Sequence, residues 1–276
     1  MKIFLTGGTG FIGSNFIDRA LNCGHEIIAI NRNKKTQKKC DGLVWVYGDL
    51  SGDYRTFLSK CDILVHLASY GVNDGSEDLD DYIYWNVLKT FDLCKQAYSS
   101  NIRKFIISGS GFEYGRSFER YEFIPSSAPL EPITNYAISK AMASILLNGW
   151  ASNNNVYMNI MRFFMVYGNG ESKNRLWPSM KRAALSGEDF KMTKGEQIRD
   201  FISVDDLVDI VIAALSLNGV MPGIPKINNI GSGRALSVHQ FCSYWWKEWN
   251  AKGDLLMGSL PYRESEIMRF VPEITD

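Results

Sequence analysis

The sequence has no surplus of charge of either sign. Lys+Arg and Asp+Glu both number 30, so the net charge is zero, and nothing asks for nucleic acid or an anionic membrane as partner. No stretch is long and apolar enough to span a bilayer. The chain opens on a strand-like run rather than a signal peptide. Cysteine is scarce. Cys23, Cys40, Cys61, Cys94 and Cys242 are odd in number and lack metal-ligand spacing. They read as reduced thiols of a cytoplasmic protein, and no metal site is expected. No repeat or low-complexity tract is present. The 276 residues are ample for a sizeable core, in one large domain or two small ones.

What is present begins at the first residues. Ile3, Phe4 and Leu5 form a short apolar run that reads as a buried strand. Glycines follow at positions 7, 8, 10 and 13, and from Ser14 to Leu21 the apolar residues Phe16, Ile17, Ala20 and Leu21 fall at helical spacing. Gly8, Gly10 and Gly13 give G-x-G-x-x-G; Gly7, Gly10 and Gly13 give G-x-x-G-x-x-G. Such a turn, between a strand and a helix, lets the backbone approach a pyrophosphate and aims free N–H groups at it.

The next segments alternate. Glu26–Ile30, Val44–Tyr47, Ile63–Ser69, Lys104–Ser108 and Asn159–Phe164 read as strands. Tyr82–Tyr98 and Asn135–Trp150 read as helices, and Phe118–Pro132 as loop because of its three prolines. This predicts an α/β, doubly wound parallel sheet whose ligand lies beyond the carboxyl ends of the strands. After Gly168 the pattern changes to helices at Leu176–Ser186, Val204–Leu217 and Val238–Trp249, with strands at Asp189–Met192 and Lys226–Ile230. These suggest a smaller lobe, interleaved with returns to the main sheet. His66 reads as a packed strand residue.

The second strand ends at Asn31-Arg32-Asn33-Lys34-Lys35. An acidic residue in this place would accept from the ribose 2′-hydroxyl of NAD. Two amides and three cations stand there instead. A charge run of this kind is also what a solvated loop looks like, but its position at the strand end favours the 2′-phosphate of NADP, with NAD as the alternative. Tyr136 and Lys140 lie at i and i+4, on one helix face. An ammonium near the phenol favours phenolate and lowers its pKa from about 10, making Tyr136 fit to exchange a proton with an alcohol oxygen.

At this point the chain resembles a known family, the extended short-chain dehydrogenase/reductases of the epimerase/dehydratase group, which act on nucleotide sugars. The matching stretches are Thr6–Gly13, Gly48-Asp49-Leu50, His66–Ser69, Ser108–Ser110 with Tyr114-Gly115, Tyr136 with Lys140, Arg162 with Tyr167-Gly168, Arg199-Asp200-Phe201 before Val204-Asp205-Asp206, and Asn229–Gly233. The resemblance implies a Rossmann fold with an NAD(P)-binding domain over residues 1–165. Residues 166–276 would be mainly a substrate-binding lobe. It implies that Tyr136 is the acid/base, that Lys140 holds the nicotinamide ribose, and that Ser110 hydrogen-bonds the reacting oxygen. Gly7, Gly10, Phe11, Ile12 and Gly13 would hold the pyrophosphate, and Asn31 and Arg32 the ribose phosphate. Asp49 and Leu50 would meet the adenine, and Leu67, Ala68 and Ser69 would line the cofactor path. Arg199 and Arg263 would face the substrate's pyrophosphate, and Met165 occupies a position that touches substrate. A homodimer through the helices Tyr82–Tyr98 and Asn135–Trp150 is also implied.

The departures from the family narrow the activity. Gly111 and Phe112 replace the Asp-Glu pair of the dehydratases. Phe112 also replaces the cysteine of the 3,5-epimerases, and His25, His66 and His239 fit no proton-carrier role. Met165 stands where many members have asparagine. The chain also ends at Asp276, short for the family, so it is either a compact member or one lacking a carboxyl-terminal element. The expected activity is an NADPH-dependent reductase of a nucleotide-linked 4-keto-6-deoxyhexose. The alternative is a nucleotide-sugar 4-epimerase with tightly held NAD. A non-catalytic cofactor-binding regulator is disfavoured by the presence of both Tyr136 and Lys140.

Overall fold

The computed structural model describes residues 1–33, 40–72, 78–263 and 266–274. Ile3, Phe4 and Leu5 are completely buried. Ile3 and Leu5 enter one core layer, and Phe4 enters the other. Successive residues of a strand face opposite ways, so an unbroken apolar run marks a strand covered on both sides.

That strand, β1 (Lys2–Thr6), lies inside a seven-stranded sheet with β2 (Glu26–Asn31), β3 (Leu43–Tyr47), β4 (Ile63–His66), β5 (Lys104–Ser110), β6 (Tyr157–Phe163) and β10 (Lys226–Ile230). The order is β10-β6-β5-β4-β1-β2-β3, and every pairing is parallel. Strand order reverses between β4 and β2 on either side of β1. The crevice at the carboxyl end of such a switch point is where open α/β sheets bind ligands.

Helices cover both faces. On one side α1 (Phe11–Asn22) and α7 (Val204–Ala214) bury Phe16, Ile17, Leu207 and Val211 against Ile3 and Leu5. On the other, α4 (Thr90–Ser99) and α5 (Asn135–Asn153) bury Leu93, Ala97, Leu147 and Ala151 against Phe4 and Phe105. Burying each Leu, Ile or Phe contributes roughly 1.5–3 kcal/mol. Among the described residues, no helix is long and apolar enough to cross a membrane.

The later part of the chain builds β7 (Met165–Tyr167), α6 (Leu176–Ser186), β8 (Phe190–Lys191), β9 (Ile198–Ser203), β11 (Ala235–Ser237), α8 (Val238–Glu248), β12 (Leu255–Leu256) and β13 (Arg269–Phe270). Strands β7, β11 and β13 all pair with β9, and an aromatic core joins Trp177, Phe201 and Phe241. Between these elements, α7 and β10 return to the large sheet.

Strands β7, β9, β11, β12 and β13 have no counterpart in the sequence-based expectation, and three expected elements differ from it. β4 stops at His66, because Leu67–Ser69 leave the sheet beside Gly7. β5 continues past Ser108 to Ser110, held by pairing with Arg162 and Phe163. The stretch from Tyr82 is not one regular helix: α3 (Leu79–Tyr82) leads into a π-helical turn, Ile83–Lys89, before α4. The segment predicted as loop also carries a 3₁₀ turn at Arg116–Arg120.

Candidate active site

The carboxyl ends of β1, β2, β4 and β5 open onto one cavity of about 640 Å³. Its floor is the glycine turn. Gly7 has φ +76°, and a Cβ there would lie 2.6 Å from the backbone nitrogen of Ala68. A Cβ on Gly13 would lie 2.1 Å from the Gly7 oxygen. Only glycine lets turn, helix and β4 end pack this closely. Gly10 is the N-cap of α1, and no side chain caps that helix. Phe11, Ile12 and Gly13 therefore present their first-turn backbone to the cavity they line, and the helix dipole adds partial positive charge. The cradle fits a dinucleotide pyrophosphate.

At one end Ile30, Arg32, Asp49 and Leu50 form the wall. Tyr54 donates its phenolic hydrogen to the Asp49 carbonyl at 2.5 Å. Hydrogen bonds from the Ser51 hydroxyl and backbone hold the Asp49 carboxyl below the usual range, with Arg32 and Lys89 adding to the effect. Asn31 is buried; its Oδ1 accepts from the Asn33 backbone at 2.9 Å, while its Nδ2 has no partner among the described residues. Lys34 and Lys35 lie outside the described residues.

At the other end the predicted reacting groups meet. Tyr136 stands in the first turn of α5, which Thr134 caps by accepting from the Ala137 N–H at 3.2 Å. The side chains of Ser69 and Ser110 act on the Tyr136 hydroxyl, and all three residues line the cavity. Lys140, one turn further on, is buried and donates to the Ser108 carbonyl. Burial pulls its ammonium down to about 8, against the attraction of Glu113. The expected lowering of the Tyr136 pKa is reversed here. Burial pushes the phenol up, outweighing the two serine side chains, and the Lys140 ammonium is directed at Ser108. His66 is neutral: burial, with Lys140 nearby, pushes it down to about 3. It bridges Thr6 at 2.8 Å and Thr90 at 3.1 Å.

Leu67, Ala68 and Met165 line the same cavity. Arg199 and Arg263 do not. Arg199 is buried in β9, donating to Glu266 at 2.7 Å and to its neighbour's carbonyl at 2.9 Å, and Arg263 is exposed. The cation on the lobe side of the wall is Arg175, at the start of α6 and 3.3 Å from Glu171. Glu171 also lines the cavity; one of its oxygens is buried without a partner, and burial pushes its carboxyl up. Sequence reading also passed over Trp85 and Asn86, which the π-helical turn brings to the wall. Asn86 latches the cofactor-side loop to α5, accepting from the Tyr70 N–H at 2.8 Å and donating to the Ser139 hydroxyl at 2.9 Å.

Fold and cavity together define a Rossmann-type dinucleotide-binding protein, with Ser110 and Tyr136 on the cavity wall and Lys140 buried one turn further along α5. More particularly, the chain belongs to the NAD dependent epimerase/dehydratase family, whose model matches residues 3–231, and it is an enzyme of that family. It is 28% identical over 226 residues to a UDP-glucose 4-epimerase of Vibrio cholerae, a match covering 78% of this chain and 66% of that protein, just under two thirds of its length. It is 27% identical over 221 residues to a CDP-abequose synthase of Yersinia pseudotuberculosis, covering 78% and 74%. The UDP-N-acetylglucosamine 4-epimerase structure from Methanobrevibacter ruminantium M1 superposes with a TM-score of 0.89 at 23% identity, over 99% of this chain and 89% of that one, which shows a shared fold.

Proposed function

We infer that this enzyme reduces a nucleotide-linked 4-keto-6-deoxyhexose with NADPH. Bound NADPH supplies the hydride. Tyr136 donates its proton to the oxygen at carbon 4 as charge develops there, and Ser110 hydrogen-bonds the same oxygen. A phenol whose pKa is raised by burial stays protonated at neutral pH, which suits a proton donor. Lys140, whose ammonium donates to the Ser108 carbonyl beneath the cavity, would turn toward the nicotinamide ribose when the cofactor is bound. The cavity that holds Ser110 and Tyr136 is also lined by Trp85, Phe112, Phe163, Phe164 and Met165. Such a lining suits the methyl group of a 6-deoxy sugar better than a 6-hydroxyl, which would be buried without a partner.

The observation that carries the reductase reading is Arg32 on the cavity wall, directly after β2, whose last residue is Asn31 rather than a carboxylate. A guanidinium there pairs with a 2′-phosphate by charge-assisted hydrogen bonds, each contributing roughly 1.5–3 kcal/mol. Wild-type protein is expected to bind NADPH at least about tenfold tighter than NADH, which needs only about 1.4 kcal/mol. Arg32→Asp should reverse the order, because a carboxylate repels the phosphate and accepts from a free 2′-hydroxyl. Energy transfer from tryptophan to the reduced nicotinamide, titrated at fixed salt, measures both affinities. Equal affinities, or NAD found tightly held on purification, would overturn the reading in favour of the 4-epimerase, the activity named for the Vibrio cholerae relative.

A further inference from the structure

Behind Ser110 lies a charge pair that the proposed reaction does not use. Glu113 is 0% exposed and Arg162 3%. One carboxylate oxygen of Glu113 accepts from Arg162 Nε at 2.8 Å, and the other accepts from the Ser110 backbone N–H at 2.8 Å. Arg162 Nη1 also donates to the Tyr114 hydroxyl at 2.7 Å and to the Ser126 carbonyl at 3.0 Å. Tyr114 in turn donates to Asn229 at 2.6 Å. A pair buried this deeply costs more to desolvate than an apolar pair of equal volume, so stability alone does not account for it. Gly109 is confined by it: a Cβ there would lie 2.8 Å from the Glu113 carboxylate and 2.9 Å from Arg162 Cγ.

What the pair touches supplies the reason. Glu113 holds the N–H of Ser110, and Lys140 donates to the carbonyl of Ser108. Opposite charges thus grip one strand end at peptide groups two residues apart. The Ser110 hydroxyl accepts from the Phe112 N–H at 3.2 Å and meets Tyr136, so its place depends on the backbone that Glu113 fixes. We propose that Glu113 is a positioning residue, which locks Ser110 through its main chain and supplies the counter-charge that Lys140 faces across the end of β5. Arg162 holds the carboxylate in that orientation. The other charged or titratable groups around Tyr136 and Lys140 are His66 from β4, which is neutral, and Arg175 from the lobe, with its partner Glu171. Glu113 is the anion acting on both Tyr136 and Lys140.

Two readouts test this. The first needs no substrate: NMR titration of ¹³C-labelled lysine side chains, with the Lys140 signal assigned by its loss in Lys140→Met. In Glu113→Gln, Lys140 should lose its proton at least about one pH unit lower than in wild type, because a favourable charge has gone and the Arg162 cation is left uncompensated. The second is kinetic and rests on the reductase reading. Glu113→Gln should lower kcat at least about tenfold with KM changed less, and should add less than about threefold in a Ser110→Ala background, since both act on the same interaction. Glu113→Met/Arg162→Met keeps the volume without the charges and guards against misfolding. It should fold and show the same loss of kcat, with a downward Lys140 shift smaller than in Glu113→Gln because the Arg162 cation has gone too. An unmoved Lys140 titration, a full multiplicative loss in the Ser110→Ala background, or wild-type kcat in the double Met variant each overturns the proposal. If the Lys140 titration moves but wild type reduces no 4-keto sugar, the reductase reading fails and the positioning role of Glu113 stands.

Discussion

Tyr136→Phe is expected to cut turnover by about a hundred- to ten-thousand-fold while leaving cofactor binding within a few fold. The substitution removes one oxygen and keeps the ring, the helix and its Thr134 cap. What is lost is the proton proposed to reach the sugar oxygen, together with the hydroxyl on which Ser69 and Ser110 act. Single-turnover reduction with saturating NADPH isolates the chemical step. A Phe variant that keeps most of its kcat would show that another group delivers the proton. Glu171, whose carboxyl is pushed up by burial and lines the same cavity, would then be the next residue to replace.

The glycine turn and the Tyr136/Lys140 spacing were legible in the sequence because both depend on local geometry. A buried parallel strand shows as an unbroken apolar run, a tight phosphate turn shows as glycines, and i, i+4 residues share a helix face whatever the tertiary packing. What could not be read depends on distant partners. Arg199 has the composition of a phosphate ligand, but Glu266 lies 67 positions later in the chain and holds it away from the cavity. Arg175 follows a stretch without periodicity, and its place on the wall depends on how the lobe packs against the sheet rather than on its neighbour Glu171. Asn86 sits in a π-helical turn, where the 3.6-residue period that locates helix faces does not hold. Glu113 reads as an ordinary acidic residue between Phe112 and Tyr114. Its burial becomes visible only when β6 brings Arg162 beside it. The reversed shift of Tyr136 has a similar origin: spacing places Lys140 on the same face, but the ammonium's direction is set by the Ser108 carbonyl on β5.

Lys140→Met should raise stability at neutral pH and remove most of the activity, in opposite directions from one side chain. In the folded protein Lys140 titrates at about 8, below its ordinary 10.5, because burial disfavours the ammonium. Below pH 8 both folded and unfolded chains carry this proton, and the folded state bears the whole desolvation cost, roughly 3 kcal/mol. As pH rises from about 8 to 10.5, the folded protein releases the proton first. The unfolded chain then binds more protons, so wild-type stability rises with pH through this window. Methionine never bears the cost. It does leave the Ser108 carbonyl without the lysine's hydrogen bond, which offsets about 1 kcal/mol or more. The variant should therefore melt a few degrees above wild type at pH 7, and the gap should close by about pH 10. Activity runs the other way. Wild-type kcat/KM, which reports the free enzyme, should fall as pH passes about 8 and Lys140 loses its charge, and the Met variant should be at least about a hundredfold slower at pH 7. Calorimetry of both proteins at pH 7 and pH 10, beside a pH–rate profile, measures the two trends. A wild type that outmelts the variant at pH 7, or a kcat/KM that stays level to pH 9, would mean that Lys140 is not a buried ammonium whose charge the reaction needs.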